Sequence, residues 1–406
     1  MTTHDPAVFH KLYGVHKPRV TYYGKDLIDY TLMILVTGAV IVPSYGFGHV
    51  LAWVGMALCA FMLVMFPVRH GVELKVPLFL RRPQDVLYMF VYKLQNLPPL
   101  YLVAIAVLLL ENVLIAATPN LPHHVDWMRN LALVLFYTHI LIITAYRTTI
   151  LIKHLAKREL AREVLMQTPW KRVINAKTNI TLEILHAYAT GLLTHLVLIT
   201  PWYVVMTHVK YSLVFMPFAC LINLVVHLRW LKATNAWFYR DHWVGHNSEF
   251  EFIFLHGTHH DAIPCALIGV AGNGFLEGFF RGTLAFPIPF YNPIIPFLLY
   301  SYEIKQDMDL HQYIPGIYPK MPKAAVAIGQ HSTHHYGRLE PYSIAIKLDQ
   351  PDVPEAQKAF YGSPKVRALF PDELMNSLKL DEELNGFKWD NPTHKNTLDL
   401  WDKYQH

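Results

Sequence analysis

The sequence predicts an all-α, multi-pass integral membrane protein with about six spans in three hairpins and a cytoplasmic helical region after them. The first observation is composition, because 53% of the 406 residues are hydrophobic and only 16% are charged, whereas a soluble domain carries about 25% charged residues. The second is that the long apolar runs fall in three pairs. The third is a set of histidine motifs after the last pair. This composition excludes a disordered chain and a coiled coil.

Net charge and cysteine content narrow the function classes further. A formal charge of +5 is small for this length, and it does not indicate a nucleic-acid binder, whose basic residues cluster on one soluble face. The three cysteines (Cys59, Cys220 and Cys265) are odd in number and far apart. They predict neither a disulfide framework nor a cysteine-based zinc site. The unusual number is 24 histidines.

The membrane region is predicted from the lengths of the apolar runs. Residues 1–26 lack the apolar core of a cleavable signal peptide and are predicted to form a cytoplasmic N-terminal segment. A helix needs roughly 17–25 residues to cross about 30 Å of hydrocarbon. Residues 27–228 supply six candidates, which pair as 27–42 with 50–67, 98–117 with 131–146, and 184–207 with 211–228.

Basic residues set the orientation of these hairpins. Lys and Arg mark the cytoplasmic side of short membrane loops. Twenty Lys and Arg residues fall on one side, in the segment before the first pair, the two connections between pairs and the stretch after the third pair. The three turns on the opposite side hold only Arg129 and Lys210. Both termini are therefore predicted to be cytoplasmic. The basic stretch 147–177 either enforces this topology or docks an acidic electron carrier or anionic lipid headgroups.

Residues 229–345 form the predicted catalytic region, and residues 346–406 a polar cytoplasmic C-terminal tail. Within the region, the apolar segment 285–302 holds Pro287, Pro289, Pro293 and Pro296. So many prolines disfavour a regular spanning helix. We expect the segment to dip into the membrane or to line a cavity, where irregular backbone is tolerated.

Three histidine motifs follow the sixth span. They are an H-x-x-x-H motif, an H-x-x-H-H motif ten residues on, and a second H-x-x-H-H motif further along the chain, with one more histidine ahead of the last. Positions i, i+3 and i+4 of a helix share one face, and neutral imidazole is the commonest metal ligand. Nine imidazoles suit two ions. The candidate ligands are His242, His246, His256, His259, His260, His311, His331, His334 and His335.

Chance does not account for this pattern. At about 6% histidine, a chain of this length is expected to hold on the order of 0.08 H-x-x-H-H motifs, and this one holds two. Soluble di-iron bundles use carboxylates together with Glu-x-x-His. The motifs here contain no Asp or Glu at ligand spacing, so the sequence predicts an all-histidine site.

The run from His242 to Pro264 resembles the first histidine boxes of the fatty acid hydroxylase/sterol desaturase superfamily of membrane di-iron enzymes. The segment His311-Gln312-Tyr313 resembles the family's H-x-Y segment, and His331 to Gly337 its last box. The resemblance covers roughly residues 230–345. One departure is Pro315, which stands where some members have a further histidine, and it puts the coordination of one ion in doubt.

The resemblance implies two non-haem iron ions facing the cytoplasm, dioxygen as co-substrate and the nine histidines above as ligands. It implies C–H oxidation of a lipid (a fatty acyl chain, sterol or ether lipid), with hydroxylation favoured over desaturation or aldehyde processing. Electrons would come from a ferredoxin- or cytochrome-type donor with an NAD(P)H reductase, because the chain holds no dinucleotide fingerprint or ferredoxin-type cysteine set. The membrane would be a bacterial inner membrane or the endoplasmic reticulum.

Polar residues inside the predicted spans leave alternatives open. Four histidines lie in or at the ends of predicted spans: His139, His186, His195 and His227. They could be hydrogen-bonded interior residues, they could line a substrate channel, or they could bind a haem in an electron-transfer protein. Glu111 lies near the outer end of its span, which favours a local hydrogen bond over proton relay. A metal transporter is a further class, but its ligands would lie at mid-membrane and include carboxylates.

Overall fold

The computed structural model describes residues 20–70, 99–159, 179–226 and 294–310, and within these ranges the regular structure is helical. Four helices are long and apolar enough to cross a membrane, and they cover 26–45, 50–68, 125–156 and 180–208. Two further predicted spans coincide with shorter apolar helices, 106–117 and 216–226. The all-helical class is therefore confirmed for the described residues, with four helices that could span a membrane, while the count of six spans stays a prediction.

The first hairpin contains a π-helical turn. Helix α1 (Val20–Val36) continues through the π turn Thr37–Ile41 into the short helix α2 (Val42–Tyr45), and α3 is Val50–His70. Gly46 ends α2 with a φ of 77°, a conformation that glycine adopts without steric cost. Its N–H donates to the Val42 carbonyl. The chain thus reverses direction in four residues, as the sequence predicts.

The next helices are α4 (Pro99–Ala117), α5 (Val125–Ala156), α6 (Ile180–His208) and α7 (216–226). Helix α5 has 32 residues and is about 48 Å long, which exceeds the hydrocarbon thickness. Asn179 caps α6 by accepting a hydrogen bond from the Leu182 N–H. Arg147 was counted among the basic loop residues, but α5 continues through it and buries its side chain.

Helix α6 is the centre of the described bundle. Of its most apolar 18-residue window, 72% is buried, against 28–33% for the other three long helices. It packs against α3, α5 and the π turn. The outer helices instead expose large apolar side chains, as expected where lipid is the solvent. Examples are Leu35, Trp53, Leu141, Ile142 and Phe218.

The proline-rich segment resolves into a regular helix in its second half. Helix α8 spans Ile294–Leu310, so it begins directly after Pro293 and carries Pro296 in its first turn. A proline is tolerated there because the first N–H groups of a helix have no intrahelical acceptor. The expectation of irregular backbone is therefore not met for residues 294–302, while residues 285–293 lie outside the described ranges.

Helix α8 packs on α5 and runs in the same direction. Its first turn contacts the middle of α5, with the rings of Phe297 and Phe136 6.1 Å apart. About two turns on, the Lys305 ammonium lies 5.3 Å from the centre of the Tyr146 ring. Both helices therefore point their C-terminal ends toward the basic side predicted from the loops.

Candidate functional site

The nine predicted metal ligands lie outside the described residues, and so does His227. They are His242, His246, His256, His259, His260, His311, His331, His334 and His335. Within the part of the chain that the structure describes, no group of three or more His, Cys, Asp or Glu side chains is placed to hold a metal ion. The structure does locate one neighbour of these ligands, because α8 ends at Leu310, the residue before His311.

Two interior histidines meet at the centre of the described bundle. His139 on α5 and His195 on α6 lie near the middles of their predicted spans, and both are buried. Their Nε2 atoms are 3.1 Å apart. On its other side, the His139 Nδ1 atom lies 2.6 Å from the Ser301 hydroxyl of α8. The three side chains connect α5, α6 and α8 through one chain of hydrogen bonds, which we call the histidine relay.

The proton positions in the histidine relay follow from its last acceptor. The Ser301 hydroxyl donates to the Phe297 carbonyl at 2.6 Å, because a carbonyl can only accept. Ser301 Oγ then accepts from the Nδ1–H of His139. The Nε2 atom of a neutral His139 carries the lone pair, so it accepts from the Nε2–H of His195. This assigns the neutral Nδ1–H tautomer to His139 and places a proton on Nε2 of His195.

A buried imidazole without a counter-ion is neutral, and with its proton on Nε2 a neutral His195 has an unprotonated Nδ1 atom. That atom is buried and has no hydrogen-bond partner among the described residues. The Nε1–H of Trp202, two turns further along α6, is also buried without a partner there. A buried polar atom of this kind commonly meets a water molecule or a ligand. Among the described residues, His195 Nδ1 is thus an acceptor without a donor, and Trp202 Nε1–H is a donor without an acceptor. Both lie on one face of α6.

Aromatic rings enclose the histidine relay. The Tyr300 ring stacks against both imidazoles, with centroid distances of 5.3 Å to His139 and 6.3 Å to His195. Trp202 packs on Phe297 at 4.2 Å and on Tyr300 at 5.6 Å. These contacts separate the polar atoms from lipid. In this low-dielectric surrounding, hydrogen bonds between helices are strengthened and breaking one is costly.

Direct contact between the two imidazoles favours a hydrogen-bonded interior pair over a haem site. A haem iron would stand between two axial nitrogens, each about 2 Å away by analogy with other metal–imidazole bonds. Its ligands would be about 4 Å apart, with a macrocycle between them. The Nε2 atoms of His139 and His195 are instead 3.1 Å apart, with Tyr300 lying against both rings.

A second polar cluster lies where Tyr30 of α1 reaches His186 of α6. The Tyr30 hydroxyl and the His186 Nε2 atom are 2.5 Å apart, and both residues are buried. Asp26 and Asp29, on the same helix as Tyr30, are only 2% and 0% exposed. This cluster lies toward the N-terminal ends of α1 and α6, the ends predicted to face the cytoplasm. His186 is thus also an interior hydrogen-bonded residue.

Polar residues also connect the helix ends at the opposite side. Glu111 of α4 accepts a hydrogen bond from the Ser212 N–H, and the Ser212 hydroxyl lies 2.7 Å from His123 Nδ1. The side-chain amide of Asn112 bonds to both the N–H and the carbonyl of Lys210. The interactions tie the α4–α5 and α6–α7 connections together. Glu111 therefore makes the local hydrogen bond that its position favours.

Sequence reasoning missed several of these residues. Ser301 and Tyr300 gave no signal because the helix that carries them was not expected. Tyr30 and the two buried carboxylates of α1 could have been found, since Asp26 and Asp29 stand within or beside a predicted span at helical spacing.

Comparison with known proteins does not assign a family. No protein-family model, no curated protein and no solved structure matches this chain. The class defined so far is a helical membrane protein with buried polar clusters, and any narrower assignment depends on the histidine motifs.

Proposed function

We propose that the protein is an O2-dependent, non-haem di-iron membrane oxygenase that oxidises a C–H bond of a lipid. The observation that carries the proposal is the set of three histidine motifs at helical spacing, together with His311, on the predicted cytoplasmic side of the last span. Their donor set fits iron, because neutral imidazole binds iron well, but it also fits zinc. The proposed ligands are the eight histidines of those motifs and His311.

The described helices support a membrane enzyme with a cytoplasmic metal region. Four of them are long and apolar enough to span a bilayer. Helix α8 runs parallel to α5 and ends at the residue before His311, so the main chain reaches that proposed ligand at the end of α8 that points to the basic side. The sequence predicts that the other proposed ligands follow the sixth span on that same side.

The chain's own residues would bind the lipid and keep water away from it. The described spans expose apolar side chains to the bilayer, which suits a substrate that enters sideways from lipid. Bound iron would supply the activation of dioxygen. One oxygen atom would enter the lipid and the other would leave as water, with two electrons from an external donor and two protons from the surrounding water. Hydroxylation is our first expectation and desaturation the second.

Metal analysis tests the proposal directly. Protein purified from iron-supplied cells should contain about two iron ions per chain and show no haem absorption band. A haem spectrum, or no bound metal after purification in the absence of chelators, would contradict it. If the purified protein contains only zinc, the metal should be removed and the protein reconstituted with iron, because the Irving–Williams order does not favour Fe(II) over Zn(II).

Lipid analysis tests the reaction. Membranes from aerated cells with and without the gene should differ by a lipid pair separated by 16 mass units for hydroxylation or 2 units for desaturation. A variant with His259→Ala should remove the product, whereas His208→Ala, at an exposed site at the end of α6, should keep it. Purified protein should need an added reductase, so turnover with NADPH alone would count against an external donor.

A further inference from the structure

We propose that three tyrosines and a histidine, on the side predicted to face away from the cytoplasm, bind the phosphate group of a membrane phospholipid. The residues are Tyr45, His49, Tyr137 and Tyr203, and we call them the outer tyrosine cluster. They come from α2, the turn that follows it, α5 and α6. The inference goes beyond the proposed function and does not rest on it, because no histidine of the motifs takes part.

Ring contacts hold the outer tyrosine cluster together. The His49 ring lies against all three tyrosine rings, and the centroid distances are 4.9 Å to Tyr45, 6.0 Å to Tyr137 and 5.5 Å to Tyr203. Tyr45 also packs on Tyr203, at 4.5 Å. Tyr45 is buried, whereas Tyr137 is 41% exposed and Tyr203 is partly exposed. Tyr137 and Tyr203 are therefore the tyrosines of the cluster that a ligand can reach.

The hydrogen bonds of His49 leave the Tyr137 hydroxyl with a proton to donate. His49 Nδ1 accepts from the Leu51 N–H at 3.1 Å, so the proton of the neutral ring is on Nε2. That Nε2–H donates to the Tyr137 hydroxyl oxygen at 2.7 Å. The Tyr137 O–H itself then has no acceptor among the described residues.

The Tyr203 hydroxyl is a second donor of this kind. Its ring contacts Tyr45, His49 and Phe136. Its hydroxyl makes no hydrogen bond within the described part of the chain. Tyr137 lies within electrostatic reach of Tyr203. Two neighbouring O–H donors without acceptors match a ligand that offers more than one acceptor oxygen.

The surroundings of the cluster favour a lipid over a water-soluble anion. The turn that carries His49 and the start of α3 present three large apolar side chains, and Phe47, Val50 and Trp53 are 67%, 65% and 58% exposed. Aromatic side chains at the end of a span, Trp above all, lie in the boundary layer of a bilayer. The acceptors in that layer are the phosphates and ester carbonyls of lipids. A phosphate suits the two donors better, because charge-assisted hydrogen bonds are about twice as strong as neutral ones.

Tyr203→Phe is the most informative variant. It removes a hydroxyl without a described partner and keeps the ring, so the thermal midpoint in lipid-free detergent should equal that of the wild type. One lost hydrogen bond to a charged group should raise the apparent Kd for phospholipid about tenfold. The variant with both Tyr137→Phe and Tyr203→Phe should raise it about a hundredfold. The control is Tyr302→Phe, at an exposed tyrosine on α8.

The experiment is a titration of the full-length purified protein in detergent with dioleoylphosphatidylcholine, followed by the thermal midpoint, which a ligand of the folded state raises. Dioleoylglycerol keeps the ester carbonyls but lacks the phosphate, and glycerophosphocholine keeps the phosphate but lacks the acyl chains. We expect a rise with the phospholipid alone, and a rise in Tyr203→Phe that needs about ten times more of it.

Four results would overturn the inference. They are a wild-type midpoint that the phospholipid does not raise, an equal rise with dioleoylglycerol, a wild-type response in Tyr203→Phe, and a lower midpoint of Tyr203→Phe without lipid. The last result would mean that the hydroxyl serves packing. An equal rise with glycerophosphocholine would assign the site to a soluble phosphodiester and would contradict a lipid ligand.

Discussion

Glu111 and Ser212 join two connections on one side of the bundle, where the Glu111 Oε1 atom accepts from the Ser212 backbone N–H across 3.2 Å. Both residues are buried, and the Ser212 hydroxyl continues the contact to His123. Residues 101 positions apart are thus held together at the ends of α4 and α6. The bond explains why a carboxyl group is tolerated in an apolar helix, since its position near the helix end lets it bond to the neighbouring connection.

Removal of that acceptor should destabilise the fold. Glu111→Ala leaves the buried Ser212 N–H without its partner, and we expect the free energy of unfolding to fall by about 1–3 kcal/mol. Glu111→Gln keeps a carbonyl oxygen for the same bond and should cost much less. Thermal unfolding in detergent measures both. Asp126→Ala, at an exposed carboxylate, is the control, and an equal loss in the Gln and Ala variants would argue that the acceptor is not what matters.

Tyr30→Phe tests the contact between α1 and α6. The substitution removes the hydroxyl that lies 2.5 Å from His186 Nε2 and changes little else in shape. We expect a loss of about 1 kcal/mol in unfolding free energy, the usual net worth of one buried hydrogen bond. The comparison is Tyr302→Phe, whose ring is 56% exposed. A thermal midpoint unchanged in both variants would mean that the hydroxyl contributes nothing to the packing of α1.

His49 should make stability depend on pH. Partial burial lowers the pKa of His49 below its ordinary value of 6.5. Its Nδ1 atom accepts from the Leu51 N–H, so Nε2–H donates to the Tyr137 hydroxyl at 2.7 Å. Protonation would break the Leu51 bond. Because the unfolded state binds the proton more readily, the contribution of His49 to stability is present above about pH 6.5 and is lost as the pH falls below it.

The measurement is the difference in thermal midpoint between wild type and His49→Gln at pH 7.5 and at pH 5.5. Glutamine can keep the bond to Tyr137 and does not titrate. We expect the wild type to lose more stability than the variant on acidification. A parallel loss in the two proteins would assign the pH dependence to other groups.

Substitution of the proposed ligands should abolish turnover while leaving membrane insertion intact. Each change to alanine removes one imidazole from the proposed iron site, and iron content should fall together with activity. The six positions are His256, His259, His260, His331, His334 and His335. The control is again His208→Ala. Wild-type activity in two of the six variants would mean that the motifs serve structure instead of metal binding.

Much of the fold was predictable because it depends on consecutive residues. Hydropathy predicted helices at the described spans, and the reversal at residues 46–49 follows from a glycine at positive φ. The prediction of irregular backbone over 285–302 was wrong for residues 294–302, because it considered the number of prolines and not their positions. Pro296 lies in the first turn of α8, where it costs no hydrogen bond.

The candidate site was predictable in part. The sequence placed His139 and His195 near the same depth, because each lies near the middle of its span. It could not show that their Nε2 atoms meet, which requires both helices to turn those faces toward each other. The eight histidines of the motifs were found from their spacing and His311 from its place ahead of the last motif, and their proposed role stays a prediction.

The sequence by itself determined the class of protein, the helical segments, the charge asymmetry between the two sides and the histidine motifs. These are properties of short stretches, set by hydropathy, local charge and helical periodicity. The tertiary structure decided which polar residues meet. His139 and Ser301 are 162 positions apart, and their bond exists because α8 packs parallel to α5 in one rotation. Packing between distant segments fixes that rotation, and no local pattern encodes it.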